Sequence, residues 1–83
     1  PNPFNPRTEI RFGIPVVARV RVAVFDVSGR LVRTLLDRDM LPGHHTTVWD
    51  GYDARGRAVA SGVYFYDVRA GGFSTRRQMV LLR

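Results

Sequence analysis

Trp49-Asp50-Gly51-Tyr52-Asp53-Ala54-Arg55-Gly56-Arg57-Ala58-Val59-Ala60-Ser61-Gly62-Val63-Tyr64-Phe65-Tyr66 contains the only tryptophan, all three tyrosines and three of the eight glycines of this 83-residue chain. It combines the heaviest core anchors with the tightest turn chemistry. Its second half opens a strand from Gly62 to Ala70, in which Tyr64, Tyr66 and Val68 share one face while Asp67 and Arg69, on the other parity, seek water. Gly71-Gly72 then forms a two-residue hairpin turn, and Phe73 to Leu82 returns as the last strand. Met79-Val80-Leu81-Leu82 is apolar on both parities and leaves that strand's register open.

Upstream of Trp49, Gly43 to Trp49 alternates, so that His45, Thr47 and Trp49 lie on one face and His44, Thr46 and Val48 on the other. Asp37 to Gly43 reads as a loop closed by Pro42-Gly43. Ala18 to Val27 is a strand with Val20, Val22 and Val24 inward. Asp26-Val27-Ser28-Gly29 follows as a type I turn with a left-handed Gly bulge, leading into a strand over Leu31 to Leu36 whose mixed spacing allows a bulge. Thr8 to Ile14 is the first strand, with Ile10, Phe12 and Ile14 on one face and Pro15 as its stop. Residues 1–7 read as a proline-rich linker with Phe4 as an anchor tucked under a sheet edge, and residues 8–83 as one domain.

Six or seven short strands with regular turn signals and no helix predict an all-β fold, an antiparallel β-sandwich; a small closed barrel is the alternative. The two differ in whether the first and last strands pair. Trp49 serves as the core pin, with Tyr64 and Tyr66 beside it, and Gly62 begins their strand. One pattern occurs twice, as Phe25-Asp26-x-x-Gly29-Arg30-x-Val32 and Tyr52-Asp53-x-x-Gly56-Arg57-x-Val59. The flanks do not match, so the same turn chemistry used twice explains it better than a duplicated unit: Asp accepts backbone N–H bonds and Gly takes the positive φ.

A domain this small buries only roughly 60–65% of its unfolded surface, and without cysteine it must rely on packing alone. The net charge is +6, with all thirteen basic residues arginine. They are scattered singly, with no aromatic-basic stacking motif, which favours solubility and edge protection over nucleic-acid binding. No apolar run is long enough to span a membrane. The absence of an initial Met suggests a piece of a longer protein.

Asp50 and Asp53 in one glycine-rich loop are the best of the weak calcium candidates, but a calcium site needs six to eight oxygens, and turn capping is the preferred role. His44 and His45 diverge on a strand and have no cysteine partners, which argues against zinc. Ser28, Ser61 and Ser74 lie in or beside turns without a triad, and the seven acids form no paired-carboxylate site. The residues therefore predict no enzyme and no cofactor.

Taken in order, Pro1-Asn2-Pro3-Phe4-Asn5-Pro6, Phe25-Asp26-x-x-Gly29-Arg30-x-Val32, Gly43-x-His45-x-x-x-Trp49-Asp50-Gly51, Ser61-Gly62-Val63-Tyr64-Phe65-Tyr66 and Arg76-Arg77-Gln78-Met79-Val80-Leu81-Leu82-Arg83 span essentially the whole chain. Together they resemble the C-terminal immunoglobulin-like domains of secreted bacterial proteins. Two overlapping groups share the pattern: the type A C-terminal sorting domain of type IX secretion, and the immunoglobulin-like domain named after the flagellar hook-capping protein.

The resemblance implies a seven-stranded, non-catalytic immunoglobulin-like sandwich ending a larger exported hydrolase or adhesin, secreted or held at the cell surface after transit through the periplasm. In the sorting group the domain is an export address read by the outer-membrane secretion machinery, then commonly cleaved and replaced by a lipopolysaccharide anchor. By that similarity Pro1, Asn2 and Pro3 mark the junction with the cargo. Arg76, Arg77, Met79, Val80, Leu81, Leu82 and Arg83 form the recognition strand, with Arg77 where that group usually has lysine. Trp49-Asp50-Gly51 leans toward the hook-capping group, whose members need not be signals, so an accessory or assembly module contacting sister domains is the alternative.

Overall fold

The computed structural model describes residues 6–83, so the readings of Pro1, Asn2, Pro3 and Phe4 lie outside the described residues. Six strands are present: β1 Thr8–Ile14, β2 Ala18–Phe25, β3 Leu31–Met40, β4 Gly43–Trp49, β5 Gly62–Ala70 and β6 Phe73–Leu81. All pairings are antiparallel. β1 pairs with β4, and β3-β2-β5-β6 forms a second, four-stranded sheet. The first and last strands lie in different sheets, which makes this an immunoglobulin-like sandwich and not a closed barrel. Among the described residues there are six strands where seven were expected, because the segment between β4 and β5 contributes only an isolated bridge, Tyr52 to Ala58.

Alternation sets the inner faces. Ile10 and Ile14 of β1, Val20, Val22 and Val24 of β2, and Val68 of β5 are buried. They divide into two packed groups. One centres on Ile10, Ile14, Val20, Val22 and Val68, the other on Val24, Trp49, Tyr64 and Leu81, and half-buried Leu35 and Tyr66 touch both. Trp49 is fully enclosed, with Tyr64 edge-on at 5.1 Å. Such a pair adds about 0.5–1.5 kcal/mol beyond its buried area.

Two expectations are corrected. β3 runs on to Met40, so Asp37 to Met40 is strand and not loop, and the connection to β4 is Leu41-Pro42 alone. The extension pairs with Ala18 to Arg21 in regular register, but Asp37-Arg38-Asp39 has no apolar residue to continue the strand pattern, while the two register shifts lie earlier, within Leu31 to Leu36. The polar residues of this extension suit an edge: Arg19 on β2 meets Asp37 at 3.0 Å and Asp39 at 3.9 Å.

The second correction concerns Asp67, which is buried and not solvated. Arg76 lies directly opposite on β6 and grips both carboxylate oxygens, at 2.6 and 3.1 Å, while its guanidinium also stacks 5.3 Å from the Phe25 ring. The Arg76 hydrogen bonds hold the Asp67 carboxyl below the ordinary aspartate range. An outward-facing acid is thus roofed by its cross-strand partner.

Candidate functional site

The repeated motif builds the same turn twice. In the first copy Asp26 Oδ1 accepts from the backbone N–H groups of Ser28 at 2.9 Å and Arg30 at 3.0 Å and from the Ser28 hydroxyl at 2.6 Å. In the second, Asp53 Oδ1 accepts from the N–H groups of Arg55 and Arg57, both at 2.9 Å. Each Asp also exchanges backbone bonds across its loop, Asp26 N–H to Arg30 and Gly29 N–H to Asp26, Asp53 N–H to Arg57 and Gly56 N–H to Asp53. Gly29 and Gly56 take φ of 85° and 78°, a left-handed conformation that glycine adopts without a Cβ penalty.

Hydrogen bonding, led by the Ser28 hydroxyl at Asp26 and the Arg57 N–H at Asp53, holds both carboxyls below their ordinary range. Both are therefore anionic at neutral pH, with Oδ1 of each engaged by its own turn. Asp50 is similarly committed: Oδ1 accepts from Arg33 Nη1 at 2.9 Å and from the Tyr52 N–H at 3.1 Å. Capping accounts for all three acids, and among the described residues no group of three potential metal ligands converges.

The two turns stand side by side, joined by a hydrogen bond from Ala54 N–H to the Val32 carbonyl at 3.1 Å. Between them opens a cleft of about 520 Å³ with Val32 and Val59 in its wall and Arg30, Arg55 and Arg57 around it. Tyr64 lines its inner side, and its hydroxyl donates back to the Ala60 carbonyl at 2.7 Å. That bond ties the start of β5 to the chain just upstream, in the manner of a tyrosine corner. Burial raises the Tyr64 pKa, so the hydroxyl remains a donor.

The C-terminal segment is divided between core and surface. Leu81 is buried and Met79 half-buried against the Trp49 group. Arg76 is taken up by Asp67, whereas Arg77, Val80 and Leu82 are exposed. Arg83 has an exposed residue surface but an engaged head: its guanidinium donates to the carbonyls of Gly51 and Val59 and lies 5.6 Å from the Tyr52 ring, and its backbone N–H donates to Ser61 Oγ at 3.0 Å. Gly51, at φ 79°, leaves the space that this head occupies. Trp49 Nε1 donates to the Tyr52 carbonyl at 3.0 Å and fixes the same loop from beneath.

Gly62, at the start of β5, pairs with Leu81. Tyr66, expected in the core, is half-buried opposite exposed Arg77 on the edge strand β6. At the opposite end of the sandwich, Pro15, Val16 and Val17 face Gly71, Gly72 and Phe73 across an apolar groove of about 490 Å³. His44 and His45 point to opposite faces of β4. His45 Nε2 donates to the Leu41 carbonyl at 2.8 Å, and His44 lies over Gly13. Arg55 was not identified from sequence, and Val32 and Val59 entered only as members of the repeated turn pattern, which was the available signal for the cleft.

An antiparallel sandwich whose polar residues are spent on turns, with an arginine-rimmed cleft at one end, defines a small immunoglobulin-like β-module. Its sequence matches the FlgD Ig-like domain family over residues 8–72, and the chain belongs to that family. Among solved structures it is similar to the crystal structure of FlgD from P. aeruginosa, with a TM-score of 0.70 at 24% identity, covering 90% of this chain and 60% of that one. The chain thus spans less than two thirds of that relative. No curated protein matches it. These findings fall on the hook-capping side of the resemblance and do not support the sorting side.

Proposed function

We propose that this domain is a non-catalytic assembly module of the hook-capping type, which works as part of an exported protein and presents rigid surfaces to the protein subunits it assembles with. The observation that carries this reading is the family match over residues 8–72, which takes in five of the six strands and stops at the turn before β6. Its chemistry agrees: the candidate acids are engaged in turns, and what is left at the surface is arginine, strand edge and apolar patches, the materials of an interface. In this reading its partners are sister subunits of an extracellular assembly such as the flagellar hook, and not the outer-membrane secretion machinery.

The sorting role implied by Pro1 to Pro3 and Arg76 to Arg83 has no comparable support. The packing of Met79 and Leu81 and the fastening of Arg83 weigh against a segment held out for recognition. Fusing residues 1–83 behind a periplasmic reporter in a type IX-competent bacterium tests the choice. The reporter is expected to stay in the periplasm while a known cargo is exported normally. Reporter on the cell surface would overturn the assembly reading.

A further inference from the structure

The twin-turn cleft has a feature that its structural role does not use. Arg57 is within 3.4 Å of the Asp53 carboxylate, but among the described residues neither Arg30 nor Arg55 has a carboxylate partner. Both are exposed, one on each turn, at the mouth of a cleft whose wall includes Val32 and Val59. Asp26 and Asp53 line the same cleft and offset part of this charge, but three arginines against two aspartates leave it positive, and neither aspartate closes an ion pair on the Arg30 or Arg55 guanidinium. Two guanidinium groups flanking an aliphatic wall, in a chain of net charge +6, are complementary to carboxylates spaced along an extended chain with apolar side chains between them.

We propose that the cleft between the Asp26–Arg30 and Asp53–Arg57 turns docks an acidic, extended peptide segment of a partner protein, with Arg30 and Arg55 pairing its carboxylates and Val32 and Val59 receiving the aliphatic side chain between. A second copy of this chain is a poor occupant, since it brings the same excess of arginine. A cation would face three arginines, and among the described residues no group of three potential ligands gathers to hold it. Single-stranded nucleic acid needs exposed aromatic platforms, and the cleft's one aromatic ring, Tyr64, is buried. This inference rests on the assembly-module reading and names the chemistry of one partner surface.

The test is a titration of the ¹⁵N-labelled full chain with acetyl-Glu-Ser-Val-Ser-Glu-amide, whose two carboxylates and central valine share one face when extended, followed by amide chemical shifts. Saturable changes are expected at Arg30 to Val32 and Ala54 to Val59, with no response to the matching lysine peptide. Arg30→Ala and Arg55→Ala, both at exposed positions, are each expected to weaken binding about two- to fivefold, the size of a solvent-exposed ion pair. Shift dispersion of each variant without peptide verifies its fold, and either variant alone suffices for the comparison. Absence of changes at millimolar peptide, changes centred elsewhere, or binding indifferent to both substitutions would overturn the proposal. So would an equal response to oligothymidylate at the same amides, which would assign the cleft to phosphate. Failure here leaves the reporter result untouched, so the two readings fail separately.

Discussion

Trp49→Ala is expected to destabilise the domain by about 3–5 kcal/mol, the cost of emptying a large aromatic site. Trp49 has no solvent exposure and ends β4 opposite Thr8, so it closes the β1-β4 sheet against the four-stranded one. Its ring receives Tyr64 of β5 edge-on and packs with Val24 of β2 and Leu81 of β6. Its indole N–H holds the Tyr52 carbonyl, so truncation also releases the loop that carries Gly51 and Asp53. Small domains have roughly 5–15 kcal/mol of stability in all, so the variant should be marginal or unfolded. Urea denaturation followed by far-UV circular dichroism measures this, since the only tryptophan fluorophore is lost. A midpoint equal to the parent's would put the stretch at the surface.

Gly51→Ala is expected to cost about 2–3 kcal/mol, of which roughly 1–2 is the left-handed backbone alone. The remainder is steric. A Cβ at Gly51 would come within 2.9 Å of Arg83 Nη2, 3.1 Å of Pro6 Cγ and 3.4 Å of Leu81 Cδ1. The arginine head can swing away, but only by giving up the Gly51 and Val59 carbonyls, and the end of β6 loosens with it. Gly29→Ala provides the comparison: its φ is 85°, yet nothing lies within 4 Å of the added methyl, so only the backbone cost applies. Equal losses from the two substitutions, measured by the same denaturation, would mean that the Arg83 latch contributes nothing.

Local chemistry made much of the sandwich readable. β1, β4 and β5 follow from clean alternation bounded by Pro15, Gly43, Gly62 and Gly71. The twin turns follow from Asp and Gly at fixed offsets, because both halves of that chemistry lie within five residues of each other. Features that depend on pairing between distant segments were hidden. The near half of β3 slips register at two places and the far half is regular but polar, so the period was broken in one and composition gave no mark in the other. Asp67 looks solvated until β6 places Arg76 over it, and Tyr66 loses part of its cover because its partner on the edge strand is the exposed Arg77.

The candidate surfaces show the same division. Each arginine of the cleft is an ordinary surface residue in the sequence, and the two turns come together through long-range contacts, the Ala54–Val32 backbone bond and the Arg33–Asp50 ion pair. The Arg83 latch joins positions 32 residues apart, with no periodic signal linking them. The terminal apolar run took its register from β5, which turned Leu81 inward and left Val80 and Leu82 outside. A segment that looked like a free recognition strand is thereby tied into the core on one face.

Native-state hydrogen exchange of the β6 amides that face β5 tests that account most directly. If the C-terminal strand is an integral part of an assembly module, those amides, up to the end that Arg83 fastens, are expected to exchange only through global unfolding, with the same free energy as the protected amides of β2 and β5. Exchange in β6 orders of magnitude faster than in β2, with the rest of the sandwich still protected, would show a detachable strand and contradict the account.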